Sequence, residues 1–309
     1  MQKLRLGTRG SRLAIWQAGC VAGEINKVIP DIDIEIKVIR TKGDKILDVA
    51  LSKIGDKGLF TREIENALLD GEIDLAVHSM KDLPSFLAPG LTLGAVLKRE
   101  NPQDVLISHK GYTISSMPSN GLVGTSSLRR IAQLRALRPD LRTIDLRGNV
   151  ETRIKKMEEQ DLDGIILAYA GVKRLGFKGQ ISEIISTDSI LPAVGQGAIA
   201  IEVRENDDET LKIISHINDK NTDLETKSER SLLRELEGGC QVPIASLAHI
   251  EGDKLHLVAL VASMDGQIVI KDSLSGDIDQ AAEIGKLLAQ SLLNRGADRI
   301  LEEIKRLGE

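Results

Sequence analysis

The chain has 309 residues, a formal net charge of −5 and only 2% aromatic residues. Its length predicts two or three domains, and the mix of 41% hydrophobic and 28% charged residues supports a packed core and excludes a disordered chain. An acidic protein with so few aromatic rings is not expected to bind nucleic acid, since such binders carry a basic excess and stack bases on aromatic side chains. Two cysteines exclude a disulfide framework, and no Cys/His spacing indicates a zinc site, so we expect no metal.

The N-terminal residues contain no apolar signal segment, and the sequence has no apolar run of the length that spans a membrane, about 18 residues. We therefore expect a cytoplasmic protein that does not contact a membrane. No apolar heptad pattern or other assembly signal stands out, and we expect a monomer.

Strand and helix patterns alternate over the first two thirds of the chain. The first run comprises strands at 3–7, 32–40 and 73–78 and helices at 11–28 and 60–69. The second comprises strands at 121–124, 142–146 and 164–168 and helices at 127–137 and 149–159. This βαβ alternation predicts mainly parallel sheets with helices on their faces. A charged segment at 98–104 predicts a hinge between the two runs, and the apolar stretch 198–203 predicts a strand that returns to the first domain.

The last third of the chain has a different pattern. A helix at 223–236 precedes three strands at 245–250, 254–262 and 267–274, whose hairpin turns contain Gly252-Asp253 and Asp265-Gly266. Two helices follow at about 279–293 and 298–307. This succession predicts a smaller α+β domain with a three-stranded sheet.

Two strand-to-helix turns are rich in small polar residues and arginine. The first is Gly7-Thr8-Arg9-Gly10-Ser11, and the second is Gly124-Thr125-Ser126-Ser127, followed by Arg129 and Arg130. Helix N-termini present unpaired backbone N–H groups and a partial positive charge, so they bind anions. Serine capping of a helix accounts for either turn alone, but two such turns in one chain favour an anion-binding cleft.

Three more arginines, Arg147, Arg153 and Arg174, lie at or just beyond predicted strand ends or in first helical turns. Ligands of open α/β sheets bind at the carboxyl ends of strands, and a guanidinium group matches a carboxylate with two hydrogen bonds. Because the sequence lacks a nucleotide-binding phosphate loop, a substrate with several carboxylates fits these arginines better than a nucleoside triphosphate. Surface salt bridges are the alternative for any one of them.

The segment His78-Ser79-Met80-Lys81-Asp82-Leu83-Pro84 follows the apolar strand predicted at 73–78. Pro84 biases Leu83 toward an extended conformation, and Asp82 beside Lys81 is a candidate ionised carboxylate that exchanges protons or stabilises a cation. The simpler interpretation is that Asp82 caps the turn and that His78 packs in the core.

Cys240 lies in the loop Gly238-Gly239-Cys240-Gln241-Val242-Pro243. Such a loop exposes its backbone, and its cysteine is a candidate nucleophile or covalent anchor, with a small buried residue as the alternative. Cys20 lies in the middle of a predicted helix among apolar neighbours and is expected to pack there. The Gly- and Lys-rich stretch 41–58 predicts either a mobile lid or a disordered surface loop.

Together these segments resemble the porphobilinogen deaminase family in order and spacing over nearly the whole chain. The matching stretches are residues 7–11, 58–60, 76–84, 123–130, 146–150, 191–197 and 236–243. One such stretch alone would be unspecific, but all of them in register are highly specific.

The resemblance implies an α/β fold with two lobes like those of type II periplasmic binding proteins, each with a mainly parallel sheet, and a smaller C-terminal α+β domain with a three-stranded antiparallel sheet. Domain 1, at 1–98 and 198–217, would be discontinuous and would carry the catalytic aspartate and a mobile loop. Domain 2, at 103–193, would be the arginine-rich lobe that binds carboxylates. Domain 3, at 221–309, would carry the cofactor.

The resemblance further implies a transferase of tetrapyrrole (haem) biosynthesis. Its cofactor would be dipyrromethane, made from two porphobilinogen units and joined to Cys240 by a thioether. Four porphobilinogen molecules would be added to this primer in turn, each with loss of ammonia, and water would release linear hydroxymethylbilane.

By motif position, the resemblance implies that Asp82 is the catalytic residue. It implies cofactor binding by Cys240, Ser79, Lys81, Thr125, Ser127, Arg129, Arg130 and Arg147. It implies substrate binding by Arg9, Ser11, Gln17, Arg147, Arg153 and Arg174, and a mobile loop that contains Lys53, Lys57 and Phe60. Asp56 departs from the small residue expected in that loop, and Tyr169 lies beside the expected site.

Two other classes of function are open at this point. A two-lobed ligand-binding protein would explain the hinge and the anion-binding turns, but not a glycine-flanked Cys240. A cysteine-dependent transferase of another kind would need a general base near Cys240, which the sequence does not identify.

Overall fold

The computed structural model describes residues 3–45, 61–237 and 242–308. Their contacts group into two compact units. Of the described residues, unit 1 comprises 3–45, 61–100 and 198–224, and unit 2 comprises 101–197, 225–237 and 242–308. The division into three domains stays a prediction.

The elements of the described residues are named in chain order. The strands are β1 (Lys3–Arg9), β2 (Asp33–Ile39), β3 (Leu75–Ser79), β4 (Leu91–Val96), β5 (Asp104–Ile107), β6 (Leu122–Gly124), β7 (Arg142–Ile144), β8 (Gly164–Ala168), β9 (Ile181–Ile184), β10 (Ile199–Arg204), β11 (Ile244–Glu251), β12 (Lys254–Ala262) and β13 (Val269–Asp277). The helices are α1 (Arg12–Val28), α2 (Lys42–Lys45), α3 (Arg62–Leu69), α4 (Leu128–Leu137), α5 (Val150–Glu159), α6 (Tyr169–Arg174), α7 (Asp208–Ser215), α8 (Lys220–Glu235), α9 (Ala281–Leu292) and α10 (Asp298–Gly308). Short 3₁₀ turns lie at Met80–Asp82, Lys178–Gln180 and Ile278–Gln280, and a π turn at Leu293–Ala297 joins α9 to α10.

The sheet of unit 1 has the strand order β2-β1-β3-β10-β4. β1 pairs in parallel with β2 and with β3, where Leu6 lies opposite Leu75. β10 runs antiparallel to β3 and β4 and places Ile201 opposite Val77. The prediction that a strand at 198–203 returns to the first sheet is therefore confirmed.

Helices pack on both faces of this sheet. Val21 and Ile25 of α1 are fully buried in one apolar cluster with Val77 of β3. Side chains alternate along a strand, so the neighbouring Ala76 points to the opposite face, where it clusters with Ile64 of α3. Because both faces are covered, β3 is buried along its apolar residues, as is usual for strands of parallel sheets.

The main sheet of unit 2 has the order β7-β6-β8-β5-β9. β6 runs parallel to β7 and β8, and β5 runs antiparallel to β8 and β9. In each five-stranded sheet, four strands thus run in the same direction. The remaining strand, β10 in unit 1 and β5 in unit 2, runs in the opposite direction. The predicted fold class, with two lobes built on mainly parallel sheets, is confirmed.

The C-terminal sheet is the antiparallel meander β11-β12-β13. Gly252, with a φ of +59°, is the first residue of the two-residue turn between β11 and β12, where a type II′ turn requires a positive φ. Leu255 and Leu257 of β12 are buried on the side of α9, and His256 between them is on the other face. The predicted α+β part with three antiparallel strands is confirmed.

Several short elements were not predicted, namely α2, β4, β5, β9, α6 and α7. α2 lies at the start of the stretch 41–58, which was expected to be a loop. β5 and β9 have four residues each, too few for a recognisable period. β5 begins at Asp104, at the end of the segment that was predicted to be a hinge. No helix among the described residues has the length and apolar character needed to cross a membrane.

Candidate active site

A small pocket of about 70 Å³ lies in unit 1 at the carboxyl ends of β1 and β3, where α1 begins. Its lining includes five residues that the sequence singled out as site residues: Arg9, Ser11, Gln17, Ser79 and Asp82. The other lining residues are Leu13, Ala14, Thr61, Val77 and His78. The structure therefore brings these five predicted residues together, while their individual roles stay predictions.

Asp82 is held at the pocket by a turn that is anchored on both sides. The backbone N–H of Met80 donates to the carbonyl of Ala198 at 3.1 Å, and that of Leu83 donates to the carbonyl of Met80 at 3.1 Å. The side chains of Met80 and Leu83 are buried, whereas Asp82 between them is exposed. Apolar burial thus fixes the backbone of the 3₁₀ turn and presents the carboxylate to solvent. Lys81 lies half-buried in the same turn.

The start of α1 also contributes a side of the pocket. The Ser11 side chain caps this helix and accepts a hydrogen bond from the backbone N–H of Ala14 at 3.2 Å. Gln17, which is buried, donates from Nε2 to Ser79 Oγ at 2.9 Å and so links α1 to the end of β3. The first turn of α1 contains no acidic residue, so the partial positive charge of the helix end is not offset there. This side of the pocket favours an anion.

A buried acid–base pair adjoins the pocket through the lining residue His78, and the sequence did not predict it. His78 Nε2 is 2.9 Å from Glu202 Oε2, and the two side chains are 4% and 0% exposed. Ala200 of β10 lies opposite His78 of β3, so Glu202 is the diagonal neighbour of His78 on the same face of the sheet. One feature of the sequence could have indicated this pair, namely the single glutamate, Glu202, within the apolar stretch 198–203. A carboxylate that is buried in a strand needs a partner.

Glu65 of α3 belongs to the same buried group. Burial raises the pKa of Glu65, and the negative charge of Glu202 raises it further. Two carboxyl groups and one imidazole thus share a region from which water is largely excluded, where an unpaired charge is unfavourable. Glu65 therefore holds its proton more tightly than an exposed glutamate does.

Arg129 and Arg130, predicted to bind the cofactor, lie buried in unit 2. A nitrogen of each guanidinium group lies 2.8 Å and 2.7 Å, respectively, from a carboxylate oxygen of Asp104, whose side chain is fully buried. Burial raises the pKa of Asp104, but the two guanidinium charges and their hydrogen bonds outweigh it and hold the pKa well below its ordinary value. This triad ties α4 to β5, and a role of the two arginines in binding the cofactor stays a prediction.

The other predicted residues of unit 2 follow strand ends or lie in the helices beside them: Thr125, Ser127, Arg147, Arg153 and Arg174. β7, β6 and β8 are parallel neighbours, so the segments after them lie at one edge of the sheet. Arg153 Nε donates to the carbonyl of Gly148, and Arg174 Nη2 donates to that of Gly197, both at 2.7 Å. Arg147, Arg153 and Arg174 are all half-buried, which places guanidinium groups beside the backbone loops at this edge of the sheet.

Ser126 was not predicted as a site residue on its own. Its Oγ donates to the carbonyl of Leu146 at 2.8 Å and so joins the loop after β6 to the loop after β7. It thereby holds Thr125 and Arg147 on adjoining loops. Tyr169 is 7% exposed and packs in the apolar cluster of this lobe.

Four residues assigned by the resemblance lie outside the described residues: Cys240, Lys53, Lys57 and Phe60. Asp56 does as well. Their roles stay predictions.

Comparison with known proteins places the chain in a family. Residues 4–212 match the family model described as porphobilinogen deaminase, dipyrromethane cofactor binding domain, and residues 224–294 match the porphobilinogen deaminase C-terminal domain. The porphobilinogen deaminase of Syntrophomonas wolfei subsp. wolfei is 59% identical over 310 residues, which cover 99% of this chain and 100% of the relative. That of Carboxydothermus hydrogenoformans is 54% identical over 304 residues and covers 97% of both chains.

Among solved structures, a TRAP periplasmic solute binding protein from Desulfovibrio salexigens aligns with 70% of this chain and 72% of its own, with a TM-score of 0.43 and 10% identity. The family models match both the two-lobed part and the C-terminal part, and the relatives extend over nearly the full length. The chain therefore belongs to the porphobilinogen deaminase family and contains its dipyrromethane cofactor-binding domain.

Proposed function

We propose that this chain is a hydroxymethylbilane synthase. It condenses four porphobilinogen molecules, with release of ammonia, on a dipyrromethane primer bound to Cys240, and then releases linear hydroxymethylbilane by hydrolysis. The observation that carries the proposal is the pocket of unit 1, where the exposed carboxylate of Asp82 lies among Arg9, Ser11 and Gln17. Such a pocket combines groups that bind a carboxylate with an anionic group that stabilises a cation, and porphobilinogen needs both.

The substrate carries an acetate and a propionate on its pyrrole ring. In unit 1, Arg9 and the capped N-terminus of α1 supply the charge and the backbone donors that bind a carboxylate. The resulting orientation of the ring places its reacting carbon at a fixed position, which converts binding energy into rate.

The dipyrromethane cofactor carries the same carboxylates on both of its rings. The donor set at the edge of the unit 2 sheet fits that chemistry, because Arg147, Arg153 and Arg174 offer guanidinium groups and Thr125 and Ser127 offer hydroxyl groups. When bound, the cofactor would supply a nucleophilic pyrrole α-carbon. Cys240 holds the cofactor by a thioether, which keeps the growing chain bound through all four additions.

Asp82 acts on the substrate at the step that releases ammonia. The aminomethyl group departs from its protonated, ammonium form, so ammonia leaves with the electrons of the C–N bond and the pyrrole becomes an azafulvene cation. The Asp82 carboxylate accepts a hydrogen bond from the pyrrole N–H and stabilises this positive charge where it develops. The exposed position of Asp82 lets it reach the substrate, and the anchored turn keeps it in place between cycles.

Two further assignments made from the sequence belong to the proposal. The enzyme is a cytoplasmic monomer that binds neither nucleic acid nor membrane. The chain has three domains, at 1–98 with 198–217, at 103–193 and at 221–309. Separate family models for 4–212 and 224–294 support the last boundary.

Intact-protein mass spectrometry, with and without added porphobilinogen, tests the proposed function. We expect a fixed excess of two linked pyrrole units over the bare chain, and a ladder of further units once substrate is added. A bare chain that stays unmodified after incubation with porphobilinogen or hydroxymethylbilane would contradict the proposal and favour a two-lobed binding protein.

Replacement of Arg147 by alanine tests the carboxylate-binding edge. We expect Arg147→Ala to change the distribution of intermediates in the ladder, with at least a tenfold slower passage between steps, because a lost charge-assisted hydrogen bond is worth about 1.5–3 kcal/mol. Arg153→Ala is expected to act in the same direction. Arg142→Ala is the control, since Arg142 is exposed at the first residue of β7, away from the carboxyl end. Unaltered ladders in both site variants would remove these arginines from the site.

A further inference from the structure

Two histidines and a glutamate lie together at one end of the C-terminal sheet, on the face opposite buried Leu255 and Leu257. His249 and Glu251 are on β11, two residues apart, and His256 is on β12. The hairpin register places His249 directly opposite His256. Since residues two apart share one face of a strand, all three side chains project from the same side, away from buried Leu255 and Leu257.

The donor atoms of these three side chains already converge. One imidazole nitrogen from each histidine and one carboxylate oxygen of Glu251 all lie within 4.8 Å of one another. The two imidazole rings are stacked, with centroids 5.0 Å apart and an angle of 22° between their planes. Bonds of about 2.0–2.2 Å to one ion bring such atoms to about 3.5 Å from each other, so modest side-chain rotations complete the site.

Ser275 of β13 orients one of the rings. His256 Nδ1 and Ser275 Oγ are 2.7 Å apart, and the register of β12 with β13 places these two residues opposite each other. With the proton on Nδ1 donated to the hydroxyl, Nε2 carries the lone pair that binds a metal. Metal-binding histidines are commonly fixed in this way through their second nitrogen.

The neighbouring charges leave the cluster anionic. Lys254 lies opposite Glu251 in the hairpin, but its ammonium group contacts Asp277 Oδ1 at 2.7 Å on the next strand. A cation bound beside Glu251 therefore gains the attraction of its carboxylate, with the nearest lysine held by another carboxylate.

We propose that His249, Glu251 and His256 form a binding site for a divalent transition-metal ion, with Zn²⁺ as the representative ligand. Two imidazoles and one carboxylate suit Zn²⁺ and the neighbouring ions Co²⁺, Ni²⁺ and Cu²⁺ better than Mg²⁺ or Ca²⁺, which prefer oxygen ligands. Three protein ligands leave a fourth position for water. These ligands come from two strands and are brought together by the hairpin register, so their spacing along the chain does not match a known zinc motif.

Such a site joins β11 to β12 and stabilises the folded chain. A ligand that binds only the native state raises the melting temperature as its concentration exceeds the dissociation constant.

Isothermal titration of the cofactor-loaded enzyme with ZnCl₂, after dialysis against a chelator, tests the proposal. We expect one ion per chain at this site, and at least tenfold weaker binding in each of His249→Asn, Glu251→Gln and His256→Asn. Ser275→Ala is expected to weaken binding severalfold by releasing the His256 ring. His216→Asn is the matched control, because His216 is exposed at the end of α7 and outside the cluster; it should bind as the parent does.

The variants also need a folding check, which circular dichroism and the melting temperature without metal provide. The zinc-dependent rise in melting temperature should disappear in His249→Asn and His256→Asn while the metal-free value stays close to that of the parent. Zinc binding that is equally strong in all three ligand variants would overturn the proposal, as would the absence of binding in the parent protein at millimolar ZnCl₂.

Discussion

Asp82 and Asp104 lie in opposite environments, and their surroundings determine what each carboxylate does. Asp82 is exposed on a turn whose neighbouring apolar side chains are buried, so its substitution leaves the packing intact. Asp104 is fully buried between Arg129 and Arg130, so its charge is part of the packing. We therefore expect substitution of Asp82 to affect turnover and substitution of Asp104 to affect stability.

Replacement of Asp82 by asparagine tests the catalytic assignment. We expect Asp82→Asn to keep the fold and the bound primer and to lower turnover roughly 100-fold or more, because removal of a group that stabilises developing charge costs about 2.7–4 kcal/mol. Steady-state rates with porphobilinogen and the melting temperature measure the two effects. Asp31→Asn is the control, since Asp31 is an exposed aspartate of the same unit, outside the pocket. Near-normal turnover would remove Asp82 from the reaction.

Replacement of Asp104 by asparagine tests the buried triad. We expect Asp104→Asn to lower the free energy of unfolding by about 3–5 kcal/mol, because it leaves two buried guanidinium groups without their counter-ion. Urea denaturation at neutral pH measures this change.

The same triad predicts a pH dependence. The pKa of Asp104 is lower in the folded chain than its unfolded value near 3.8, so its contribution is fully present above that value and is lost as the pH falls below it. The parent should therefore lose more stability than Asp104→Asn as the pH falls from about 4 to about 2. Parallel stability curves for the two proteins would show that the ion pairs contribute nothing.

Helix packing in the C-terminal part depends on a close approach of α9 to α8. Gly285 lies in α9 at this contact, where an added Cβ would be 2.9 Å from the backbone nitrogen of Leu232 and 2.9 Å from Ser231 Cβ. Backbone atoms of a packed helix cannot move independently, so the two helices would have to separate. Gly23, exposed in α1, has no heavy atom within 4 Å of such a Cβ.

We expect replacement by alanine to have opposite effects on stability at these two glycines. We expect Gly285→Ala to destabilise by about 1–3 kcal/mol through overpacking. Gly23→Ala should stabilise by about 0.5–1 kcal/mol, because alanine restricts the unfolded chain and favours the helix. Thermal unfolding of both variants beside the parent measures the effects, and a rise in melting temperature for Gly285→Ala would mean that α8 and α9 are not packed as described.

Long periodic elements could be predicted from the sequence, and short or non-local features could not. α1 was expected at 11–28 and is observed at Arg12–Val28, because its apolar residues recur at the helical period and Ser11 caps it. β5 has only four residues and its partners β8 and β9 follow much later in the chain, so no local pattern indicates it. The position of a strand in the sheet is set by tertiary pairing.

The same limit applies to the site. The residues around Asp82 lie close in sequence to the ends of predicted strands. Because ligands of open α/β sheets bind at the carboxyl ends of the strands, the position of this group could be predicted. The contacts of His78 with Glu202 and of Asp104 with Arg129 join residues separated by 124 and 25 positions (202 − 78 and 129 − 104). No local sequence pattern indicates contacts between residues so far apart along the chain, so only the folded structure shows these buried pairs.

At the scale of the whole molecule, the groups needed for the proposed reaction are distributed along the chain. The pocket with Asp82 belongs to unit 1, and the arginines after β7 and β8 belong to unit 2. The net charge is −5, so the positive groups that recognise carboxylates form a local concentration in an acidic protein. A product that grows on a bound primer also needs one residue to which the primer is attached, and we propose that this residue is Cys240.

Replacement of each cysteine by serine tests this attachment. A serine oxygen cannot form the thioether, so we expect Cys240→Ser to have the mass of the bare chain and to form no ladder with porphobilinogen. Cys20→Ser is the matched control, because Cys20 is half-buried in α1 beside the core of unit 1 and should retain the two-pyrrole excess and the ladder. Both variants should fold, which the melting temperature checks. If Cys240→Ser kept a bound dipyrrole while Cys20→Ser lost it, the attachment residue would be in α1. The assignment of Cys240 to cofactor attachment would then be wrong.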